Sequence, residues 1–171
     1  MIHARKMETM LLQSARLAVR IKSEYFKLKR DPEAKYYCYV LLLKNSKFYV
    51  GCSDNVYARL LDHHVMSPSS AVWVRKHGPV QRVVEIMRNC SRDVELYKTM
   101  EYMTMFGWEN VRGASFCRSE MASPPPPLAT FIRSIGDPLE YMPRKEVDEI
   151  CGEVAKLAVD YLKTLPKEIE T

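Results

Sequence analysis

Alternating apolar and polar positions divide the chain into a predicted hairpin flanked by amphipathic segments. Over residues 7–30 apolar positions recur at helical spacing and basic residues crowd the other face, which predicts a basic N-terminal helix ended by an Asp-Pro pair. Residues 36–43 form a short apolar, aromatic-rich run that is typical of a buried strand. A polar turn at residues 44–47 and a second apolar run at residues 48–52 complete the hairpin.

Three helices and a third strand are predicted after the hairpin. A polar cluster can cap a helix over residues 55–65, and a short helical piece follows at residues 71–77. Residues 80–87 are rich in β-branched side chains and predict a strand. Ser91 is in a capping position for a helix over residues 92–106.

These elements predict an α/β fold of the α+β type. We expect a small, three-stranded, mainly antiparallel sheet flanked by helices, with an extra helix at each end. Residues 1–35 would form the N-terminal basic helix and residues 36–122 the central domain. Residues 123–171 would form a Pro-rich linker and a C-terminal amphipathic helix, whose apolar stripe runs over residues 144–163.

Length and charge add a candidate partner. A chain of 171 residues suits one domain with extensions, and its net charge is +5. The charge is uneven: residues 1–35 have nine Lys/Arg against four Asp/Glu, residues 36–122 eleven against eight, and residues 123–171 six against nine. The basic surplus before the tail could hold a phosphate backbone, although solubility alone would also explain it.

Cysteine usage and hydropathy indicate an intracellular protein. The five cysteines are odd in number and form no Cys-x-x-Cys pair, so neither a zinc site nor a disulfide framework is expected, and reduced thiols are predicted. No apolar run is long enough to suggest a membrane span, and the charged N-terminus does not resemble a secretory signal. The nucleus, the cytoplasm and the mitochondrion all remain open as compartments.

Residue types suited to phosphate chemistry recur at ordered intervals in the hairpin and the helix that follows. Tyr39 belongs to an aromatic triplet in the first strand, and Tyr49 begins a Tyr-Val-Gly triplet ten positions later. Arg59 comes ten positions after Tyr49, and His63 four after that, so the two share a helix face. Glu95 then lies in the first turn of a predicted helix.

This ordered set, together with Asn110 and the segment around it, resembles the GIY-YIG nuclease family over residues 36–118. The two tyrosine triplets stand at the family's two name-giving motifs, with Tyr37 in place of glycine and Val50 in place of isoleucine. His64 follows His63, and the spacing favours His63 as the histidine of the site. Taken singly, each residue has an ordinary structural explanation; the shared spacing is what indicates a site.

The resemblance implies an endonuclease that hydrolyses DNA phosphodiester bonds, one strand per site, with one Mg²⁺ or Mn²⁺ in each active site. A single carboxylate can hold Mg²⁺, because this ion keeps several waters and takes substrate oxygens as ligands. An arginine can pair with phosphate oxygens as a fork. The implied roles are general base for Tyr39, orientation of water or phosphate for Tyr49, phosphate binding for Arg59, proton transfer or support of Tyr39 for His63, metal binding for Glu95, and holding a strand or Glu95 in place for Asn110.

The DNA backbone could be gripped by further basic residues. Arg75, Lys76, Arg82 and Arg112 are the predicted DNA contacts, and Arg88 could join the same groove. A solvated basic face is the alternative for all of them.

Two other functions stay open from the sequence. The chain could be a DNA-binding module with a vestigial nuclease site, or a scaffold that recruits a partner through its C-terminal helix. A homodimer or a protein partner through the terminal helices is also open, and no membrane partner is expected. No added DNA-binding module is recognisable, which favours a structure-selective or loosely specific nuclease.

Overall fold

A computed structural model describes residues 36–131 and 139–163, and the helix predicted over residues 7–30 lies outside them. The described part is a mixed α/β fold in which helices flank a five-stranded sheet. The sequence predicted three of these strands. The other two have three and two residues, too short for a period-two pattern to be recognised.

The predicted hairpin is confirmed. Strand β1, Tyr37–Leu42, pairs antiparallel with β2, Phe48–Ser53, and a 3₁₀ turn at Lys44–Ser46 joins them. The Leu43 N–H donates to the Lys47 carbonyl at 2.8 Å, which closes the turn. Asn45 lies in the left-handed region with φ 56°, which asparagine tolerates well.

The remaining elements follow the predicted order, and the helices over residues 92–106 and 144–163 have the predicted bounds. The elements are α1 (Val56–His64), α2 (Val72–His77), β3 (Arg82–Arg88), α3 (Arg92–Phe106), β4 (Val111–Gly113), α4 (Pro126–Ala129), β5 (Glu140–Tyr141) and α5 (Arg144–Lys163). None of the described helices is both long and apolar enough to cross a membrane.

The sheet order is β4-β2-β1-β3-β5, with the hairpin at its centre. β1 pairs antiparallel with both β2 and β3, with an irregularity between Val40 and Leu41 on the β3 side. β4 pairs parallel with β2 from Phe48 to Val50. The β4 register stops at Gly113, so the next part of β2 lies beside a turn rather than a strand.

Local capping explains where the helices begin and end. The Asn55 side chain accepts the Ala58 N–H at 3.1 Å and caps α1 as predicted. Gly107 ends α3 at φ 89°, a conformation that side-chain-bearing residues rarely adopt. Ser91 occupies the N-cap position of α3, but its side chain makes no capping hydrogen bond.

The two faces of the sheet carry separate apolar clusters, as alternation along the strands requires. On one face α1, α2 and α5 pack over Tyr39, Leu41 and Tyr49. On the other face α3 packs over Val40 and Val50. The candidate site therefore belongs to the first face.

The predicted C-terminal helix is present, and the C-terminal segment packs against the sheet. Part of the Pro run forms α4, which contacts α3, and Pro125 is buried. β5 extends the sheet by pairing with β3. The apolar stripe of α5 is buried within the chain against α1 and β3, where it helps to cover the face of the sheet that carries Tyr39 and Tyr49. That stripe is Val147, Ile150, Val154, Ala158 and Tyr161.

Candidate active site

Tyr39 and Tyr49 lie on neighbouring strands and point to the same face of the sheet. Tyr39 pairs with Gly51 and Tyr49 with Leu41, so the two tyrosines are diagonal neighbours. Their ring centroids are 6.5 Å apart. Tyr39 has no exposed surface and Tyr49 is 8% exposed. The hairpin register alone is thus enough to bring the two phenols together.

Gly51 makes room for the Tyr39 hydroxyl. A Cβ at position 51 would lie 2.3 Å from the Tyr39 oxygen, far inside van der Waals contact. The glycine of the Tyr-Val-Gly triplet is therefore required for close approach and not for an unusual backbone angle.

His63 joins the tyrosines from α1. Its Nε2 lies 2.9 Å from the Tyr39 hydroxyl oxygen, and its Nδ1 lies 3.2 Å from Ser70 Oγ. The imidazole can accept from Tyr39 and donate to Ser70, or the reverse, so either tautomer satisfies both contacts. His63 is fully buried and His64 is exposed, which settles that His63 is the one facing the tyrosines.

Arg59, one turn before His63, lies over the two phenols. Its Nη1 donates to the Ser69 carbonyl at 2.6 Å and lies 3.6 Å from an Asp62 carboxylate oxygen. The side chain is 29% exposed, so it is the more accessible cation of the group. The spacing of Arg59 and His63 predicted their common face, and the structure confirms it.

The electrostatics of the site come mainly from burial. Burial raises the pKa of Tyr39 well above its usual value, Tyr49 raises it further, and the Arg59 guanidinium opposes the rise. Burial also raises the pKa of Tyr49, again with Arg59 in opposition and the Glu95 carboxylate adding to the rise. Both phenols are therefore protonated at neutral pH, and a further cation near them would favour ionisation.

Glu95 lies in the first turn of α3, which packs on the other face of the sheet. Burial raises the pKa of Glu95, and the Ala114 backbone, just past the end of β4, and Arg92 counteract that rise. Since Glu95 affects the pKa of both Tyr39 and Tyr49, it lies within electrostatic reach of them. The Glu95 carboxylate therefore influences the pKa of two phenols that lie on the opposite face of the sheet.

The surroundings of Glu95 suit a hard divalent cation held by one carboxylate better than a cation held by several protein ligands. Within residues 36–131 and 139–163, no three His, Cys, Asp or Glu side chains are grouped so as to hold a metal ion. A half-buried carboxylate whose charge is penalised by burial would gain from a cation beside it. A cation here would rest on Glu95, water and substrate oxygens, which suits Mg²⁺.

Asn110 does not hold Glu95, which corrects one of its two predicted roles. Its Oδ1 accepts from Lys47 Nζ at 2.8 Å, and its Nδ2 donates to the Phe106 carbonyl at 2.7 Å. These bonds tie the end of α3 to the residue before β2. Asn110 therefore supports the strand that carries Tyr49.

The predicted DNA contacts lie on different elements of the fold. Arg75, Lys76 and Arg82 are exposed, but Lys76 and Arg82 line different concavities. Arg88 is ion-paired with Glu146.

Arg112 is not a surface contact, which corrects the prediction made for it. It is 2% exposed. Its guanidinium donates to the backbone carbonyls of Trp108, Val111, Arg118 and Ser119 at 2.7–3.3 Å. These bonds hold the loop after β4, and so Arg112 is a structural cation in this fold.

Sequence reasoning missed two residues that shape the site. Gly51 was seen as part of a triplet without a role, and register is what reveals its contact with Tyr39. Ser70 gave no signal, because a serine in a Ser/Pro loop is ordinary. The neighbouring loop is organised by Asp62, which accepts from Ser67 and Ser69 at 2.6 and 2.9 Å.

Comparison with known proteins does not identify this site. No protein-family model, no curated protein and no solved structure matches the chain.

Proposed function

We propose that this protein is a divalent-metal-dependent endonuclease of the GIY-YIG type that hydrolyses DNA phosphodiester bonds. The observation that carries the proposal is the convergence of Tyr39, Tyr49, Arg59 and His63 on one face of the sheet, within electrostatic reach of the Glu95 carboxylate. These groups come from two strands and two helices.

Arg59 is the first group to meet the substrate in this proposal. Its guanidinium is the exposed part of the group, and its planar fork suits two phosphate oxygens. The contact with Asp62 is 3.6 Å long and partly exposed, so an incoming phosphate can compete for the guanidinium. The Tyr39 hydroxyl has no exposed surface, so the proposed reaction requires a movement that opens it to water.

Tyr39 then accepts a proton from the attacking water. Its own proton passes to His63 Nε2 at 2.9 Å, while Nδ1 keeps its contact with Ser70. Burial disfavours the phenolate, so positive charge from Arg59 is needed to make it. Tyr49, which is nearer the surface, orients the water or the phosphate by hydrogen bond.

Glu95 would hold the cation, Mg²⁺ or Mn²⁺. When bound, such an ion would neutralise the pentavalent phosphate and assist the leaving oxygen. One such site cuts one strand, and cutting both strands needs a dimer or two events.

A nicking assay tests the proposal. Wild type and Glu95→Gln are compared on branched, flapped and linear DNA, with Mg²⁺, Mn²⁺ or EDTA. We expect metal-dependent nicking by wild type and a loss of at least about 10²-fold in Glu95→Gln, the size usual for removal of a catalytic electrostatic group. Glu149→Gln is the matched control, because Glu149 is exposed on α5.

Equal behaviour of wild type and Glu95→Gln on every substrate would refute the enzyme proposal. DNA binding without cleavage is the second candidate, favoured by the enclosure of Tyr39, which has no exposed surface. It predicts that both proteins bind DNA and neither cuts it. This assay does not address the scaffold alternative; because the apolar stripe of α5 packs into the protein's own core, a partner would contact the exposed face of that helix.

A further inference from the structure

A concave cavity of about 260 Å³ opens at the β4 edge of the sheet. It combines cationic and aromatic walls. We call it the basic pocket, lined by Lys47, Trp73, Lys76, His77, Trp108 and Arg112.

The basic pocket is built on the strand that carries Tyr49. Arg112 is the β4 partner of Tyr49 in the parallel register. Trp73 Nε1 donates to the Phe48 carbonyl at 2.9 Å, and Lys47 directly precedes β2. A group bound here would lie along the sheet edge from the proposed site.

Arg112 gives the pocket a buried positive charge that is in no ion pair with a described carboxylate. Its donors go to backbone carbonyls, and none of the ion pairs among the described residues includes it. Burial lowers its pKa, with no acidic group acting in the other direction. Its guanidinium stacks 4.3 Å from the centroid of the Trp73 ring. A buried cation without a counter-ion attracts an anion.

The His77 ring also lines the pocket, and one of its nitrogens has no hydrogen-bond partner among the described residues. This nitrogen, Nε2, is buried. The ring packs edge-on against Trp73 at 4.1 Å between centroids. Burial lowers the pKa of His77, and Lys47, Lys76 and Arg112 lower it further. The imidazole is therefore neutral at pH 7, and an anion beside it would favour its protonation.

Two acidic side chains, Glu109 and Glu120, also line the cavity. Glu120 pairs with Lys76 at 3.4 Å, and both side chains are largely exposed. An exposed ion pair of this kind contributes little and is readily exchanged. Glu120 can therefore release Lys76 to a more strongly charged anion.

We propose that the basic pocket binds a phosphate group of the nucleic-acid strand, next to the phosphate that is cleaved. Lys47 and Lys76 supply the charge, and the His77 ring, which lines the cavity, responds to the bound anion. The residues that line the pocket support the binding of an anion. That this anion belongs to a nucleic acid rests on the proposed function.

The first test uses inorganic phosphate and the full-length chain, without divalent metal. His77 ring resonances, assigned by their loss in His77→Phe, should shift saturably with phosphate. Binding should tighten as the pH falls, because the bound anion favours protonated His77. Lys76→Gln should weaken the binding, and the exposed Lys156→Gln on α5 should leave it unchanged. If phosphate does not shift the His77 resonances, or if Lys76→Gln binds phosphate as tightly as wild type, the proposed anion site is wrong.

The second test uses a DNA duplex in EDTA. DNA should displace phosphate from His77, and Lys76→Gln should reduce the slope of log affinity against log salt by about 1, with no change in Lys156→Gln. If phosphate binds and DNA leaves His77 unaffected, the nucleic-acid occupant is wrong. If DNA displaces phosphate but the protein does not cleave DNA, the nuclease proposal is wrong and the pocket proposal stands. If the protein cleaves DNA but the His77 resonances do not respond, the pocket proposal is wrong and the nuclease proposal stands.

Discussion

At the residue scale, the hydroxyl of Tyr39 lies between Gly51 and His63. It has no exposed surface, and its position is set by a missing side chain on one side and a 2.9 Å contact on the other. A small increase in side-chain volume here should lower stability, because packed interiors do not absorb added volume without strain.

Gly51→Ala should displace the Tyr39 hydroxyl from His63. The new Cβ would lie 2.3 Å from that oxygen, so we expect a loss of about 1–3 kcal/mol of stability and a loss of DNA nicking. Denaturant unfolding and the nicking assay measure the two effects. Gly152→Ala is the control: nothing lies within 4 Å of its Cβ position in α5, and alanine should stabilise the helix by about 0.5–1 kcal/mol. Equal stability changes in the two variants would contradict this account of Gly51.

Glu95→Gln should raise the stability of the metal-free protein at pH 7. Burial raises the pKa of the carboxyl, so the folded state pays for its ionised form, and glutamine avoids that cost. The gain should vanish as the pH falls through that pKa, where wild type is protonated too. Thermal unfolding in EDTA from pH 4 to 8 measures it. Mg²⁺ should stabilise wild type and not the variant; equal stabilisation of both would remove Glu95 as the metal ligand.

At the element scale, a buried ion network joins α3, β3 and β5. Lys98 Nζ lies 2.9 Å from Glu85 and 2.8 Å from Glu101, and donates to the Tyr141 hydroxyl at 2.8 Å. The Lys98 side chain is 3% exposed. Since Glu95 lies one turn before Lys98 on α3, this network also fixes where the carboxylate stands relative to the sheet.

Lys98→Met should cost about 3–5 kcal/mol, because two poorly solvated carboxylates lose their cation. Denaturant unfolding measures it. The exposed Lys163→Met, whose contact with Asp160 is 3.9 Å, should change stability by about 0–1 kcal/mol. The double variant Lys98→Met/Glu85→Gln should recover part of the loss. No recovery would mean that packing, and not charge, holds Lys98.

At the scale of the whole molecule, α5 closes the face of the sheet on which the candidate site lies. Its stripe enters the same apolar cluster as Tyr39, Tyr49 and Leu60. The site and the C-terminal helix therefore share one core, and neither is expected to be stable without the other.

Ile150→Ala should destabilise the protein by about 2–5 kcal/mol, as usual for a buried isoleucine in a packed core. Leu162→Ala is the control on the same helix. Leu162 is 55% exposed, so its change should stay within about 0.5 kcal/mol. Denaturant unfolding of the two variants decides it. A small loss of stability in Ile150→Ala would contradict the packing of α5 into the core.

Much of the fold was predictable because its signals are local. Helix bounds followed from periodicity and stop residues such as Gly107, and the hairpin followed from two apolar runs around a polar turn. β4 and β5 could not be predicted, since they exist through pairing with distant strands. Arg112 was assigned to the surface because a lone arginine in sequence shows nothing of its burial.

The sequence by itself determined the element order and the spacing that brings Arg59 and His63 to one helix face, because both depend on residues close along the chain. The tertiary structure decided what lies around them. It placed Tyr39 against Gly51, chose His63 over His64, brought Glu95 to the end of β4, and turned Arg112 inward. These outcomes depend on strand register and on packing between distant segments, which no local pattern contains.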